Sequence, residues 1–454
     1  MSGRAVVIGM GRSGAACARV LANEGWDVEV VDSSDTPRAR ELASTLSPTV
    51  SVKFGGYSPE VVDGAELVCP SPAVPWDAPE LRRARAAGIP VRSEIDLTFE
   101  RCPAPIAGVT GTNGKTTTTA LLGALIAAGG TTTHVGGNIG TPMLDLLDVV
   151  DADDWVVLEL SSFQLESASD PRCRLATVLN IGPDHLDRHH GMEGYVAAKR
   201  KLVQHADPDG AVALNAADPE SLRMASASPA RVLRFAREPG LLGGGDGATV
   251  VDGDVVLVDR HATTHVLPVA DIPLFGTHNQ ENVLAAVALA NAAGVAVPAL
   301  ADAIRAFTPV DHRLQTVLDR GGVLWINDSK ATNVDAAVVA LRSFHRPIVW
   351  IGGGGSKGVG PEELAAEVAR RARHAILQGA TGPELDAALA ALHYEARTLV
   401  PDLRTAVSAA ARIARPGDVV LLAPGYTSFD QHGSFEERGT LFSEMVRDVT
   451  AVTR

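Results

Sequence analysis

The stretch Gly111-Thr112-Asn113-Gly114-Lys115-Thr116 constrains this chain more than any other. It lies between an apolar, β-branched run at 106–110 and a helically patterned run at 117–128. Glycines there let backbone N–H groups curl around phosphate oxygens. The helix N-terminus adds its positive dipole end, a lysine reaches the β- and γ-phosphates, and a threonine can ligate Mg²⁺. The position five before Gly114 is Val109 instead of glycine, so this is a shortened form of the phosphate-binding loop. A strand–loop–helix unit of this kind calls for an open parallel sheet covered by helices.

Strand–helix alternation continues on both sides. Runs at 5–8, 28–31 and 67–69 read as strands, and 15–24 and 79–87 as helices, predicting a first domain over 1–93. A central domain over 94–309 is predicted from strands at 106–110, 155–160, 176–181 and 211–214 and helices at 193–205, 279–293 and 298–307. It includes a glycine-rich loop at 241–247 and a hairpin over 250–258 that turns at Asp252-Gly253. Thr308-Pro309-Val310 reads as a linker. From 310 to 454, strands at 323–326, 348–351, 375–377 and 419–422 each run into a polar or glycine-rich loop. Open parallel sheets bind ligands at such loops. The expected fold is α/β in three domains: a Rossmann-like N-terminal domain, a central P-loop ATPase-type parallel sheet and a C-terminal Rossmann-like domain. A length of 454 residues suits that count.

Composition narrows the function. With 46% hydrophobic and 21% charged residues the chain is an ordinary globular one, and no apolar run nears the ~20 residues of a membrane span. A net charge of −14 disfavours a nucleic-acid partner. Cys17, Cys69, Cys102 and Cys173 are scattered, which fits free thiols in a reducing cytoplasm. Small-molecule partners, no nucleic acid, no membrane insertion and a cytoplasmic location are expected.

Four other places carry chemistry. Gly9-Met10-Gly11-Arg12-Ser13-Gly14, with Asp32 ending the second strand, has the form of a dinucleotide fingerprint. The same turn holds any nucleotide diphosphate, or its glycines only pack. Glu159 closes a buried-type strand, where an acid after a P-loop holds Mg²⁺ or else faces solvent. His185 stands in a strand-end loop between Asp184 and Asp187, placed for a metal, for phosphate or for structure. Lys199 falls on the apolar helix face of Tyr195, Val196, Leu202 and Val203. Such a lysine snorkels to solvent or has a lowered pKa. An unprotonated amine there can take up CO₂ as a carbamate, an anionic metal ligand.

GTNGKT is accompanied, in order, by GGNIG (136–140), LELSSFQLE (158–166), NIGPDHLDRH (180–189), YVAAK (195–199), DHR (311–313), NDSKATN (327–333) and SFDQHGSFEERG (428–439). In these segments the chain resembles the Mur ligase family, the ATP-dependent amino-acid ligases of peptidoglycan precursor synthesis. The resemblance implies that a monomer joins D-glutamate to UDP-N-acetylmuramoyl-L-alanine through an acyl phosphate, using ATP and Mg²⁺. It implies UDP-sugar binding by Gly11, Arg12, Ser13, Asp32 and Ser71, in place of NAD. ATP would meet Gly111, Thr112, Asn113, Gly114, Lys115, Thr116, Thr117, Asn279, Asn282, Arg313 and Asp328. Metal would meet Thr116, Glu159, His185 and a carbamoylated Lys199. Lys115, His185, Lys199 and Asn138 would serve catalysis, with Asn138 at the muramoyl-alanine end. Lys330, Thr332, Lys357, Ser428 and Phe435 would receive the glutamate, and closure near 308–310 would exclude water and bring in Arg313. Two departures stand out: Ala73 where the family commonly has glycine, and Tyr426 where it carries small residues, a change able to reshape the glutamate pocket.

Overall fold

A computed structural model describes residues 3–308, 310–356 and 358–452. The chain forms two compact units, residues 1–272 with 280–307, and residues 273–279 with 308–454. The short segment 273–279 thus joins the second unit although it precedes the expected linker.

The first unit carries two sheets. Its four-stranded sheet is wholly parallel, in the order Ser51–Phe54, Asp27–Asp32, Arg4–Ile8, Leu67–Pro70. Val6, Val7 and Ile8 are fully buried, as a strand covered on both faces must be. Helix Arg12–Asn23 follows the first strand, and a Cβ on Gly14 would run into the Gly9 carbonyl, so only glycine lets helix and turn approach this closely.

The second sheet has nine strands. From one edge they run Thr133–Gly137, Trp155–Glu159, Ile106–Thr110, Leu175–Val178, Ala211–Asn215, Arg231–Phe235, Gly247–Val251, Asp254–Val258 and Thr263–Pro268. All neighbours are parallel except the last two pairs, which form the hairpin and its extension. Asp252 (φ 51°) and Gly253 (φ 87°) make the left-handed two-residue turn expected of Asp-Gly. Strand Ile106–Thr110 sits between Trp155–Glu159 and Leu175–Val178, with Val109 opposite Glu159 and Thr110 opposite Val178. The carboxyl ends of these three strands therefore deliver the Gly111–Thr116 loop, Glu159 and the 180–191 segment to one edge.

The second unit is a six-stranded sheet ordered Gln315–Arg320, Val323–Asn327, Val419–Leu422, Ile348–Gly352, Ala372–Leu377, Arg397–Leu399, antiparallel only at its first pair. Among the described residues no helix is long and apolar enough to cross a membrane. All four cysteines are free thiols.

One buried acid couples packing to pH. Glu94 opens helix Glu94–Arg101 at 1% exposure, next to Thr98 Oγ1, the Leu144 backbone and the Gln164 side chain. Burial pushes its carboxyl from 4.5 up to about 7, with Asp145 adding a smaller push. Between pH 4.5 and 7 the unfolded chain releases this proton while the folded chain keeps it, so stability falls as pH rises through that window. The contribution is about 3 kcal/mol. Glu94→Gln, compared with wild type by urea unfolding at several pH values, is expected to flatten that slope. An unchanged slope would mean the carboxyl titrates normally.

Candidate active site

Helix Lys115–Ala128 starts directly from Gly114, which has φ 86°. A Cβ there would strike Asn282 Oδ1, so the loop needs glycine both for its left-handed backbone and for the approach of helix Thr277–Ala292. Asn113 and Asn180 pair reciprocally, Asn113 N–H donating to Asn180 Oδ1 at 2.8 Å and Asn180 Nδ2 to the Asn113 carbonyl at 3.1 Å. Thr112 Oγ1 meets the Tyr195 hydroxyl at 2.9 Å. Lys115 Nζ lies back over the loop, donating to the Gly111 and Thr112 carbonyls at 2.9 and 2.8 Å. Thr116 and Thr117 are buried in the first helical turn.

Lys199 comes to the same place from helix Met192–Gln204. It is 1% exposed, and its Nζ donates to the Gly111 carbonyl at 2.9 Å and to Thr110 Oγ1 at 3.2 Å, 4.8 Å from the Tyr195 ring centre. The amine does not snorkel; it ends inside. Burial holds its pKa well below the usual lysine value, Lys115 adds to this, and Asp184 and Glu159 oppose it.

Glu159 is 2% exposed, which removes the solvent-facing alternative. Its Oε1 accepts from Asn138 Nδ2 at 2.8 Å, while its Oε2 is buried with no hydrogen-bond partner among the described residues. An orphaned carboxylate oxygen in the interior is costly unless a cation or donor meets it. His185 has φ 51° and a half-exposed side chain, 3.6 Å from Asp184 and 4.8 Å, ring to ring, from Phe163. Among the described residues no three of His, Cys, Asp and Glu form a metal cluster. The expected ligand set instead mixes threonine, glutamate, histidine and lysine.

The glycine turn of the first domain faces a cavity of about 180 Å³ lined by Arg12, Ser13, Ser71, Ala73, Asn138 and Gln164, among others. Gly11 caps helix Arg12–Asn23, and Arg12 Nη1 donates to the Gly140 carbonyl at 2.7 Å. Asp32 braces the turn, accepting from Met10 N–H at 2.6 Å and Ser34 N–H at 2.7 Å. The cavity thus unites three residues expected for the UDP sugar with Asn138, and through Asn138 with Glu159. Gln164 had no assigned role; its only sequence signal is the Ser161-x-x-Gln164 capping box, which the structure forms.

In the second unit, Asp328 accepts from Leu314 N–H at 3.1 Å, and burial pushes its carboxyl up to about 6 against the pull of Arg313. Asn279 Nδ2 donates to the Phe275 carbonyl at 2.7 Å. Lys330 Nζ lies 5.9 Å from the Phe435 ring centre, Thr332 N–H donates to the Lys330 carbonyl at 2.8 Å, and Ser428 is buried. Gly355 bridges to Thr427, which brings the glycine-rich loop beside Ser428. Lys357, on that loop, and Pro309, in the expected linker, lie outside the described residues.

Sequence reasoning missed Arg438. It is fully buried and donates to Ser329 Oγ and O and to the Tyr426 and Thr427 carbonyls, stapling the Asp328–Thr332 segment to the Ser428 segment. Burial pushes its pKa down to about 10.

The side chain of Tyr426, the departure able to reshape the glutamate pocket, turns into the core. Its side chain is 3% exposed and belongs to the core with Ala337, Leu364 and Trp350. Its hydroxyl is buried there with no hydrogen-bond partner among the described residues. Such a hydroxyl costs about 1–3 kcal/mol. Tyr426→Phe is therefore expected to raise the unfolding midpoint in urea and leave amino-acid kinetics unchanged. A raised amino-acid KM would return Tyr426 to the pocket.

Family models match nearly the whole chain: Mur ligase MurD-like, N-terminal domain, over residues 3–93; Mur ligase middle domain, over 109–290; and Mur ligase, glutamate ligase domain, over 312–425. The UDP-N-acetylmuramoylalanine–D-glutamate ligase of Pelotomaculum thermopropionicum is 41% identical over 446 residues, covering 98% of this chain and 97% of its own. The enzyme of the same name from Koribacter versatilis is 40% identical with the same coverage. Among solved structures, the UDP-N-acetylmuramate-alanine ligase of Thermotoga maritima superposes with a TM-score of 0.60 at 20% identity, covering 98% of this chain and 99% of its own.

Proposed function

Because this chain belongs to the Mur ligase family, we propose that it joins D-glutamate to UDP-N-acetylmuramoyl-L-alanine in the cytoplasm, as an ATP-dependent ligase of peptidoglycan precursor synthesis. The observation that carries this reading is the cavity that links Arg12, Ser13 and Ser71 to Asn138 and, through it, to Glu159 beside the phosphate-binding loop.

A sugar nucleotide seated at the glycine turn directs its alanine carboxylate along the cavity past Asn138. The loop from Gly111 to Thr117 holds ATP, with Asn282, Asn279, Asp328 and Arg313 proposed for the rest of the nucleotide. The carboxylate oxygen attacks the γ-phosphorus, ADP leaves, and an acyl phosphate results. Lys115 swings from the Gly111 and Thr112 carbonyls to the phosphate oxygens, where its charge offsets the crowding of anions. The neutral amine of glutamate then attacks the acyl carbon, the C–O bond to phosphate breaks, the departing phosphate takes the proton the nitrogen loses, and the amide forms. Lys330, Thr332, Lys357, Ser428 and Phe435 are proposed to hold the amino acid.

The residues fit Mg²⁺, because Glu159 offers a buried oxygen with no hydrogen-bond partner among the described residues. Thr116 and Glu159 would hold one ion, and His185 with Lys199 a second. Bound there, Mg²⁺ would neutralise the oxygens that meet during transfer. A cationic Lys199 would repel it. Burial favours the neutral amine, whose lone pair bonds the carbon of CO₂; an N–H proton leaves to solvent, and an anionic carbamate remains.

Calorimetry tests the first domain's part. UDP-N-acetylmuramoyl-L-alanine is expected to bind and NAD(H) and NADP(H) are not. Micromolar NAD binding at Gly9–Gly14 would overturn the assignment of that turn.

A further inference from the structure

Arg188 has no place in the roles above, yet it holds the first and central domains together at the substrate cavity. It sits three residues after His185 and its side chain is 13% exposed. Its Nε and Nη2 donate to Glu166 Oε2 at 3.0 and 2.7 Å. Nη2 also donates to the Val74 carbonyl at 2.8 Å and the Pro72 carbonyl at 3.4 Å, and Nη1 to the Ala73 carbonyl at 3.3 Å. The guanidinium carbon lies 5.0 Å from the centre of the Phe163 ring, the ring that packs on His185. One planar group thus grips three successive carbonyls of the segment that leaves Ser71, a carboxylate of helix Ser162–Ser167, and an aromatic face. Ser71, Pro72 and Ala73 line the cavity, and so does Gln164 of the gripped helix.

We propose that Arg188 is a positioning residue for the sugar-nucleotide site: it fixes the 71–74 segment of the first domain against the helix and loop that carry Gln164 and His185. This rests on the proposed function for the identity of the ligand. A guanidinium offers five donors in a fixed plane, enough for a carboxylate and several carbonyls at once, whereas an ammonium is a compact point charge. Without it the 72–74 carbonyls lose their donor and the segment is free to leave the cavity wall. The phosphate-binding loop is tied separately, through Asn113 with Asn180 and Thr112 with Tyr195, so ATP binding does not depend on Arg188.

Wild type, Arg188→Met, Arg188→Lys and Glu166→Gln are compared for Kd and KM of UDP-N-acetylmuramoyl-L-alanine and for KM of ATP. Arg188→Met is expected to weaken the sugar nucleotide by about tenfold or more and to leave the ATP KM within about twofold. Arg188→Lys is expected to stay close to Arg188→Met. Glu166→Gln, which loosens the grip but keeps the guanidinium, shifts the same constant by less and supplies the comparison if Arg188→Met does not fold. Wild type that binds no sugar nucleotide overturns the ligand assignment together with this role. Wild type that binds it while the variants bind equally well, or variants that lose ATP and sugar nucleotide alike, overturns the role of Arg188 alone.

Discussion

Replacing Lys199 by alanine is expected to lower kcat by about a thousandfold or more, the scale on which a group that organises transferring charge acts. The side chain is interior, its Nζ ends at the Gly111 carbonyl beside Lys115, and burial disfavours its charge. As a cation it would set a second positive charge where Lys115 already stands. As a carbamate it would place an anionic ligand there, beside the metal site proposed at Glu159. Two variants separate this from a packing role. Lys199→Arg keeps a long cationic donor and cannot form the carbamate, so it is expected to be as inactive as alanine. Adding a short carboxylate to Lys199→Ala is expected to restore part of the turnover by supplying the missing oxygens. Independently of activity, ¹³C-labelled bicarbonate should give wild type a carbamate carbon signal that Lys199→Ala lacks. An active Lys199→Arg with no such signal would assign Lys199 to holding the Gly111 carbonyl.

Lys115→Ala carries the second large effect, also about a thousandfold or more in kcat, since it removes the point charge proposed to meet the γ-phosphate. Its two hydrogen bonds to carbonyls of its own loop hold the ammonium over that loop, where the proposed mechanism seats the phosphate oxygens. The sugar-nucleotide Kd should be unchanged, because the cavity lined by Arg12, Ser71 and Asn138 does not include Lys115. Calorimetry and a stopped-time ADP assay on the same preparation read both quantities. A variant that loses both equally has lost its fold around the loop instead.

The parts of this molecule that sequence reveals are those fixed by local backbone demands. The phosphate-binding loop needs its glycines and its strand–helix frame, so its position and neighbours were legible. The Asp252-Gly253 hairpin was legible for the same reason. Edge strands were not: Ser51–Phe54 alternates exposed and half-buried residues, and Thr133–Gly137 ends in two glycines that mask it. Helix Pro37–Ser44 was likewise missed, because its apolar stripe is only Ala39, Leu42 and Ala43, of which Ala39 alone is buried. Tyr426 misled because its place two residues before Ser428 does not tell which way its side chain points, and that side chain turns into the core. Arg188 and Arg438 stayed silent because their partners lie far along the chain, and an arginine that satisfies distant carbonyls has no local pattern. The family resemblance supplied what periodicity does not, namely which loops act together.

The central claim is that this chain couples ATP cleavage to amide formation between a UDP-muramoyl-alanine and D-glutamate. Phosphate release measured with UDP-N-acetylmuramoyl-L-alanine, Mg²⁺-ATP and each of D-glutamate, L-glutamate and D-aspartate in turn tests it most directly. The account predicts sustained release with D-glutamate, one phosphate per amide formed, and none when the sugar nucleotide or the amino acid is omitted. Turnover with L-glutamate alone would contradict the stereochemical assignment, and no release with either glutamate would contradict the claim itself.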